Sequence, residues 1–112
     1  MRTHRIHACT RWAVGAGLLW AAGVAPAQVD FRGDIEPILH KRCYACHGPS
    51  VQMNGLRLDR KQEAMAGSLA GPVIIAGNSA ASSLVERITS TKDGYRMPPS
   101  GPPLKPEEIE PI

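Results

Sequence analysis

The chain has 112 residues, room for one domain, and a formal charge of +3 from 13 basic and 10 acidic residues. The excess is local: Arg2, Arg5 and Arg11 fall within the first eleven residues, where no acid occurs, and the rest of the chain is balanced. Nothing basic therefore remains in the body of the chain to argue for nucleic acid or an anionic membrane surface as partner.

Residues 12–25 are apolar or glycine, and Ala25-Pro26-Ala27 follows as a small-residue cleavage pattern. Basic, apolar, then small is the layout of a secretory signal peptide. The 14-residue apolar run is short of the roughly 20 residues that span a hydrocarbon core. Cleavage after Ala27 is the expectation, with an uncleaved anchor as the alternative. Arg11 lacks an arginine neighbour, which argues against a twin-arginine route. His4, His7 and Cys9 lie in this leader and are discounted as a metal cluster. The expected layout is a signal peptide at 1–27 and one domain at 28–112, periplasmic or otherwise exported, with no membrane span in the mature chain.

The mature chain keeps three aromatics, Phe31, Tyr44 and Tyr95, and two cysteines, Cys43 and Cys46. A domain of this size buries a modest fraction of its surface and commonly recruits a disulfide, metal or cofactor as a staple. A Cys43–Cys46 disulfide would close a tiny loop and constrain little of the unfolded chain. Another staple is needed.

In chain order, residues 30–42 read as a helix, with Phe31, Ile35, Ile38 and Leu39 on one face. Asp34 is its expected N-cap, and Pro37 is tolerated in the first turn. The helix runs into Cys43-Tyr44-Ala45-Cys46-His47 and ends at Gly48-Pro49. Asn54-Gly55 signals a turn, and Leu56 and Leu58 alternate with Arg57 and Asp59 in a short extended piece. Residues 60–66 form a short helix closed by Gly67. Ser79 is expected to cap a further helix to about Thr89, with Leu84, Val85 and Ile88 as its apolar face. Five prolines between 98 and 106 exclude regular structure there. Pro106-Glu107-Glu108-Ile109 reads as the first turn of a last helix, with acids at its positive end.

Cys43-x-x-Cys46-His47 is a haem-attachment pattern. Two thiols three positions apart near a helix end can add to the two vinyl groups of one porphyrin edge. The histidine after the second thiol then lies where its imidazole can bind iron. Such a haem would supply the staple. Three alternatives compete. A thioredoxin-like C-x-x-C needs a preceding βαβ pattern, and a single short helix stands there instead. A structural zinc site needs four ligands, and only His40 is left to join Cys43, Cys46 and His47. The third is a chance match, which export makes less credible, because haem is attached to such sites outside the cytoplasmic membrane.

Iron in an electron-transfer haem wants a second axial ligand, commonly methionine. Met53 is too near His47 to pass around the ring. Met65 sits in a short helix, where a gap-filling core methionine is the ordinary reading. Met97, on a proline-stiffened loop 50 residues beyond His47, is favoured, with Met65 next. Arg57 and Arg96 are candidates to pair the haem propionates, since unpaired buried carboxylates are costly. The competing reading makes both of them solvated surface arginines.

Four separated blocks then resemble a known family: Phe31-x-x-Asp34-Ile35-x-Pro37-Ile38-Leu39 leading into Cys43-x-x-Cys46-His47-Gly48-Pro49, Gly55-Leu56-Arg57-Leu58-Asp59, and Arg96-Met97-Pro98-Pro99. Together they resemble the planctomycete-type cytochrome c domain over essentially all of 30–112. The resemblance implies an all-α, class I cytochrome c-like fold with helices wrapped around one covalently bound haem c. It implies Cys43 and Cys46 on the haem and His47 and Met97 as axial ligands. Members of that family continue past the segment matching 107–112 into a full C-terminal helix packed against the first one. They usually carry further domains as well. The expectation here is a domain truncated at its C-terminal helix, either a fragment of a longer gene or a truncated one, with an exposed apolar stripe on the first helix and a frayed segment 106–112. The expected role is single-electron transfer to an unidentified redox partner protein, without enzymatic activity. The alternative is a haem sensor or peroxidase-like module with a labile distal site.

Overall fold

The computed structural model describes residues 27–112. Apart from Ala27, the expected leader lies outside the described residues. A wide helical turn over Phe31–Ile35 leads into α1, Glu36–Arg42, which breaks at Cys43 (φ −125°, ψ −36°) before the short α2, Tyr44–His47. Then come α3 (Lys61–Ala66), α4 (Ser83–Thr89) and α5 (Pro106–Ile109), with single 3₁₀ turns at Met53–Gly55 and Ser79–Ala81. Among the described residues there is no strand, only two isolated bridges, His47 with Gln52 and Ser68 with Gly71. The architecture is helical, as expected.

Two caps differ from the sequence reading. The first helix is opened by Asp30, not Asp34. Asp30 is extended (φ −93°, ψ 120°), and its carboxylate accepts the Gly33 N–H at 2.7 Å. Asp34 reaches back instead, accepting the Asp30 N–H at 2.8 Å. This reciprocal pair satisfies two otherwise orphaned donors and starts the turn four residues earlier. At the second site Asn78, not Ser79, is the cap: its Oδ1 accepts the Ala81 N–H at 3.1 Å. The helix expected from Ser79 is broken at Ser82 (φ −82°, ψ 114°). The buried Ser82 hydroxyl accepts the Ile75 N–H at 2.9 Å and donates to Asn78 O at 2.9 Å. Tying down that loop holds Ser82 out of helical geometry, so α4 begins one residue later.

The core is thin. Leu39 of α1, Leu56 and Leu58 of the extended piece and Ala64 of α3 form one buried cluster, with Ile35, Tyr44, Val73, Ile74, Leu84 and Ile112 against it. Ile88 of α4 and Leu104 are also buried. Gly67 ends α3 at φ +91°, and a Cβ there would run into the Gly71 carbonyl and lie 2.7 Å from Pro72 Cα. Only glycine fits that turn.

The segment expected to fray is anchored. Lys105 N–H donates to Glu108 Oε2 at 2.9 Å at the start of α5. Arg42 Nη2 donates to Pro102 O at 2.7 Å, its Nε lies 3.8 Å from Glu108 Oε1, and Ile112 packs against the core. The expected apolar stripe on the first helix is present in part. Phe31 is 48% exposed, whereas Leu39 is buried and Ile35 half-buried.

Candidate functional site

The break at Cys43 positions the motif. Cys43 N–H still bonds to Leu39 O at 2.8 Å, closing α1, while Cys43 O accepts from both Cys46 N (3.1 Å) and His47 N (2.8 Å). Residues at i, i+3 and i+4 of one turn share a face, so Cys43, Cys46 and His47 are presented together. The turn is braced from behind: His47 O accepts the Leu58 N–H at 2.9 Å, and Gly48 N donates to Val51 O at 2.8 Å.

Both cysteines are half-buried and unpaired. Burial pushes the Cys43 thiol up to about 11, against the pull of the Arg42 charge and with a smaller push from Cys46. It is therefore a protonated thiol at neutral pH. His47 Nδ1 is buried with no hydrogen-bond partner. Nδ1 is thus the nitrogen turned into the protein, which leaves Nε2 as the one to offer a metal. His40, the fourth ligand of the zinc alternative, is exposed and meets the Tyr44 ring edge-on at 5.5 Å. Among the described residues no three His, Cys, Asp or Glu side chains gather as a metal cluster.

Beside the turn lies an apolar cavity of about 590 Å³, with Phe31, Ile35, Leu39, Leu58, Met65 and Leu84 in its wall. Cys43, Cys46, His47 and Met97 do not line it. It nevertheless adjoins the motif, because Leu39 and Leu58 are the residues whose backbones bond to Cys43 and His47.

The remaining sequence candidates are placed apart. Met97 is half-buried and donates its N–H to Arg87 O of α4 at 3.0 Å. Met65, the second choice, is 40% exposed on α3. Arg57 forks onto Asp59, with Nε to Oδ1 and Nη2 to Oδ2 both at 2.8 Å. That fork holds the Asp59 carboxyl below its usual range and raises Arg57 above its own. Arg96 is less committed: Nη2 donates to Gly101 O at 3.1 Å, while Nη1 is buried without a partner. It lines a smaller cavity of about 370 Å³ with Ser90, Thr91 and Leu104. The pairing of Arg57 with Asp59 follows from extended backbone, in which residues two apart share a side. Arg87 and Tyr95, which hold the Met97 loop, carry no local signal.

The sequence model of the Planctomycete cytochrome C family matches residues 43–101, from the first motif cysteine through the Met97 loop and over just more than half of the chain. No curated protein and no solved structure matches it. With the attachment motif and the methionine loop both inside the matched segment, the chain belongs to the Planctomycete cytochrome C family.

Proposed function

We propose that this chain is an exported one-electron carrier that holds a single haem through thioethers from Cys43 and Cys46, with His47 as proximal and Met97 as distal iron ligand. The observation that carries the reading is the single helical turn that presents both thiols and the imidazole on one face. The residues fit the group in three further respects. Both cysteines are unpaired, the buried Nδ1 leaves Nε2 of His47 for iron, and an apolar cavity adjoins the turn. Bound haem supplies a one-electron iron couple. Cys43 and Cys46 would hold it by thioethers, and His47 and Met97 would supply its iron ligands. Ligation by both residues would leave the iron without an open position for substrate, which suits a carrier and not an enzyme. Arg96, with its unpartnered Nη1, is the better placed of the two arginines to pair a propionate.

Export rests on the basic, apolar and small-residue pattern of 1–27, and 28–112 is then the working domain of a longer protein with an unidentified redox partner. Among the described residues no helix is long and apolar enough to cross a membrane. The test is expression with export and haem-maturation machinery. The periplasmic product should carry haem that survives denaturation and acid extraction, and joint Cys43→Ala and Cys46→Ala replacement should abolish it. A colourless or zinc-loaded product from a competent host overturns the reading. Carbon monoxide separates the sensor-like alternative, since rapid binding to the reduced protein would mean an open distal position. The placement of Met97 off the main cavity wall is what keeps that alternative in view.

A further inference from the structure

The last carbonyls of a helix have no partner inside it and must find one elsewhere. In α4 the Arg87 carbonyl finds the N–H of Met97, at 3.0 Å. The side chain of the same residue turns to the same loop. Its Nη1 donates to Tyr95 O at 3.2 Å, and its guanidinium carbon sits 4.0 Å from the centre of the Tyr95 ring. Lys92 approaches that ring at 6.0 Å, and Lys92 O accepts from Tyr95 N and Arg96 N at 3.1 and 2.9 Å, closing the turn before the methionine. One residue of α4 thus grips the loop at three points: the Met97 amide, the Tyr95 carbonyl and the Tyr95 ring.

We infer that Arg87 is the positioning residue of the methionine loop, its side chain setting the fraction of time Met97 is withdrawn from the iron. This rests on the proposal that Met97 is the distal ligand. A charged hydrogen bond and a stacked cation, both part-exposed, together shift the open–closed balance of the loop by roughly tenfold. The backbone bond from Met97 to Arg87 O survives any side-chain replacement, so substitution isolates the contribution of the guanidinium.

The experiment uses the full haem-loaded chain in its ferric form, titrated with imidazole at neutral pH. The methionine–iron near-infrared band reports displacement. Arg87→Ala should bind imidazole roughly tenfold more tightly than the parent. Arg87→Lys should fall between the two, keeping a cation near the ring but losing the guanidinium fork. Should Arg87→Ala fail to accumulate, Tyr95→Leu removes the ring, leaves the backbone contacts, and should tighten binding about threefold. In the ferrous protein the Met97 amide should exchange with solvent correspondingly faster in Arg87→Ala. Ile88→Val, at the buried neighbour in α4, is the control: it should lower the melting temperature and leave imidazole affinity unchanged. Parent affinity in Arg87→Ala, or equal tightening in Ile88→Val, overturns the positioning role. The distal-ligand reading fails separately, and takes this inference with it, if the band survives Met97→Ala.

Discussion

Gly48 follows His47, and its backbone (φ −133°, ψ −159°) is extended, a conformation open to any residue. Sterics exclude a side chain there, because a Cβ would overlap the Tyr44 carbonyl oxygen and lie 3.0 Å from Tyr44 Cβ. Carbon atoms prefer separations of about 3.5–4.0 Å, and the obstacles are backbone and Cβ atoms that cannot rotate away. Gly48→Ala must therefore move the first residue of α2, and overpacking of this kind costs about 1–3 kcal/mol. Reduced chain entropy in the unfolded state opposes this by about 0.4–1 kcal/mol. At the middle of both ranges the net destabilisation is about 1 kcal/mol, which on a domain of this size lowers the melting temperature by roughly 4–8 °C. The strain falls inside the turn that presents Cys43, Cys46 and His47, so the yield of haem-loaded protein should fall with it. Calorimetry of the haem-loaded parent and variant, with haem quantified per chain, measures both. An unchanged or raised melting temperature at full haem loading would refute the reasoning.

The raised Cys43 thiol gives a pH signature in the haem-free chain. Between its ordinary value near 9.0 and its folded value of about 11 the unfolded state loses the proton first. Stability from this group is therefore complete below pH 9 and falls as pH rises to about 11, by on the order of 2–3 kcal/mol. Denaturant titrations across that window should show the loss in haem-free protein and not in protein whose Cys43 is a thioether; equal slopes in the two forms would count against attachment at Cys43. Glu108 acts in the opposite sense. The Lys105 N–H holds its carboxyl below the usual range, with Arg42 and Lys41 nearby, so its contribution is present above that range and lost as pH falls through the folded value. Glu108→Gln should lower the melting temperature slightly at neutral pH and match the parent once acid protonates Glu108, as thermal melts over acid pH would show.

The turn carrying Cys43, Cys46 and His47, the extended Leu56–Leu58 piece and the glycine-closed third helix are legible because each is written in neighbouring residues. The Cys43, Cys46 and His47 spacing needs one turn, and Gly67 needs only its own φ. The caps were misread where two residues of similar chemistry compete. Asp30 and Asp34 can each cap, and the choice depends on which is extended, a property of the chain before them. Ser79 lost to Asn78 because Ser82, three residues later, is claimed by Ile75 and Asn78. The order of 106–112 is hidden for a related reason: Arg42, which meets Glu108, lies 66 residues before it, and no local pattern encodes such a pairing. Arg57 illustrates the reverse case, a cation assigned to a distant group although its carboxylate stood two positions along.

Three hydrogen bonds brace the turn that carries Cys43, Cys46 and His47. Leu39 closes α1 onto Cys43, Leu58 bonds His47 from the extended piece, and Arg42, next to Cys43, holds the segment that leads into α5. Each of these contacts is a single hydrogen bond or a part-exposed ion pair, worth about 0.5–1.5 kcal/mol. The buried cluster around them is small, and an apolar cavity lies beside it. A rigid apolar group bonded covalently at Cys43 and Cys46 would reinforce the place where these weak contacts meet.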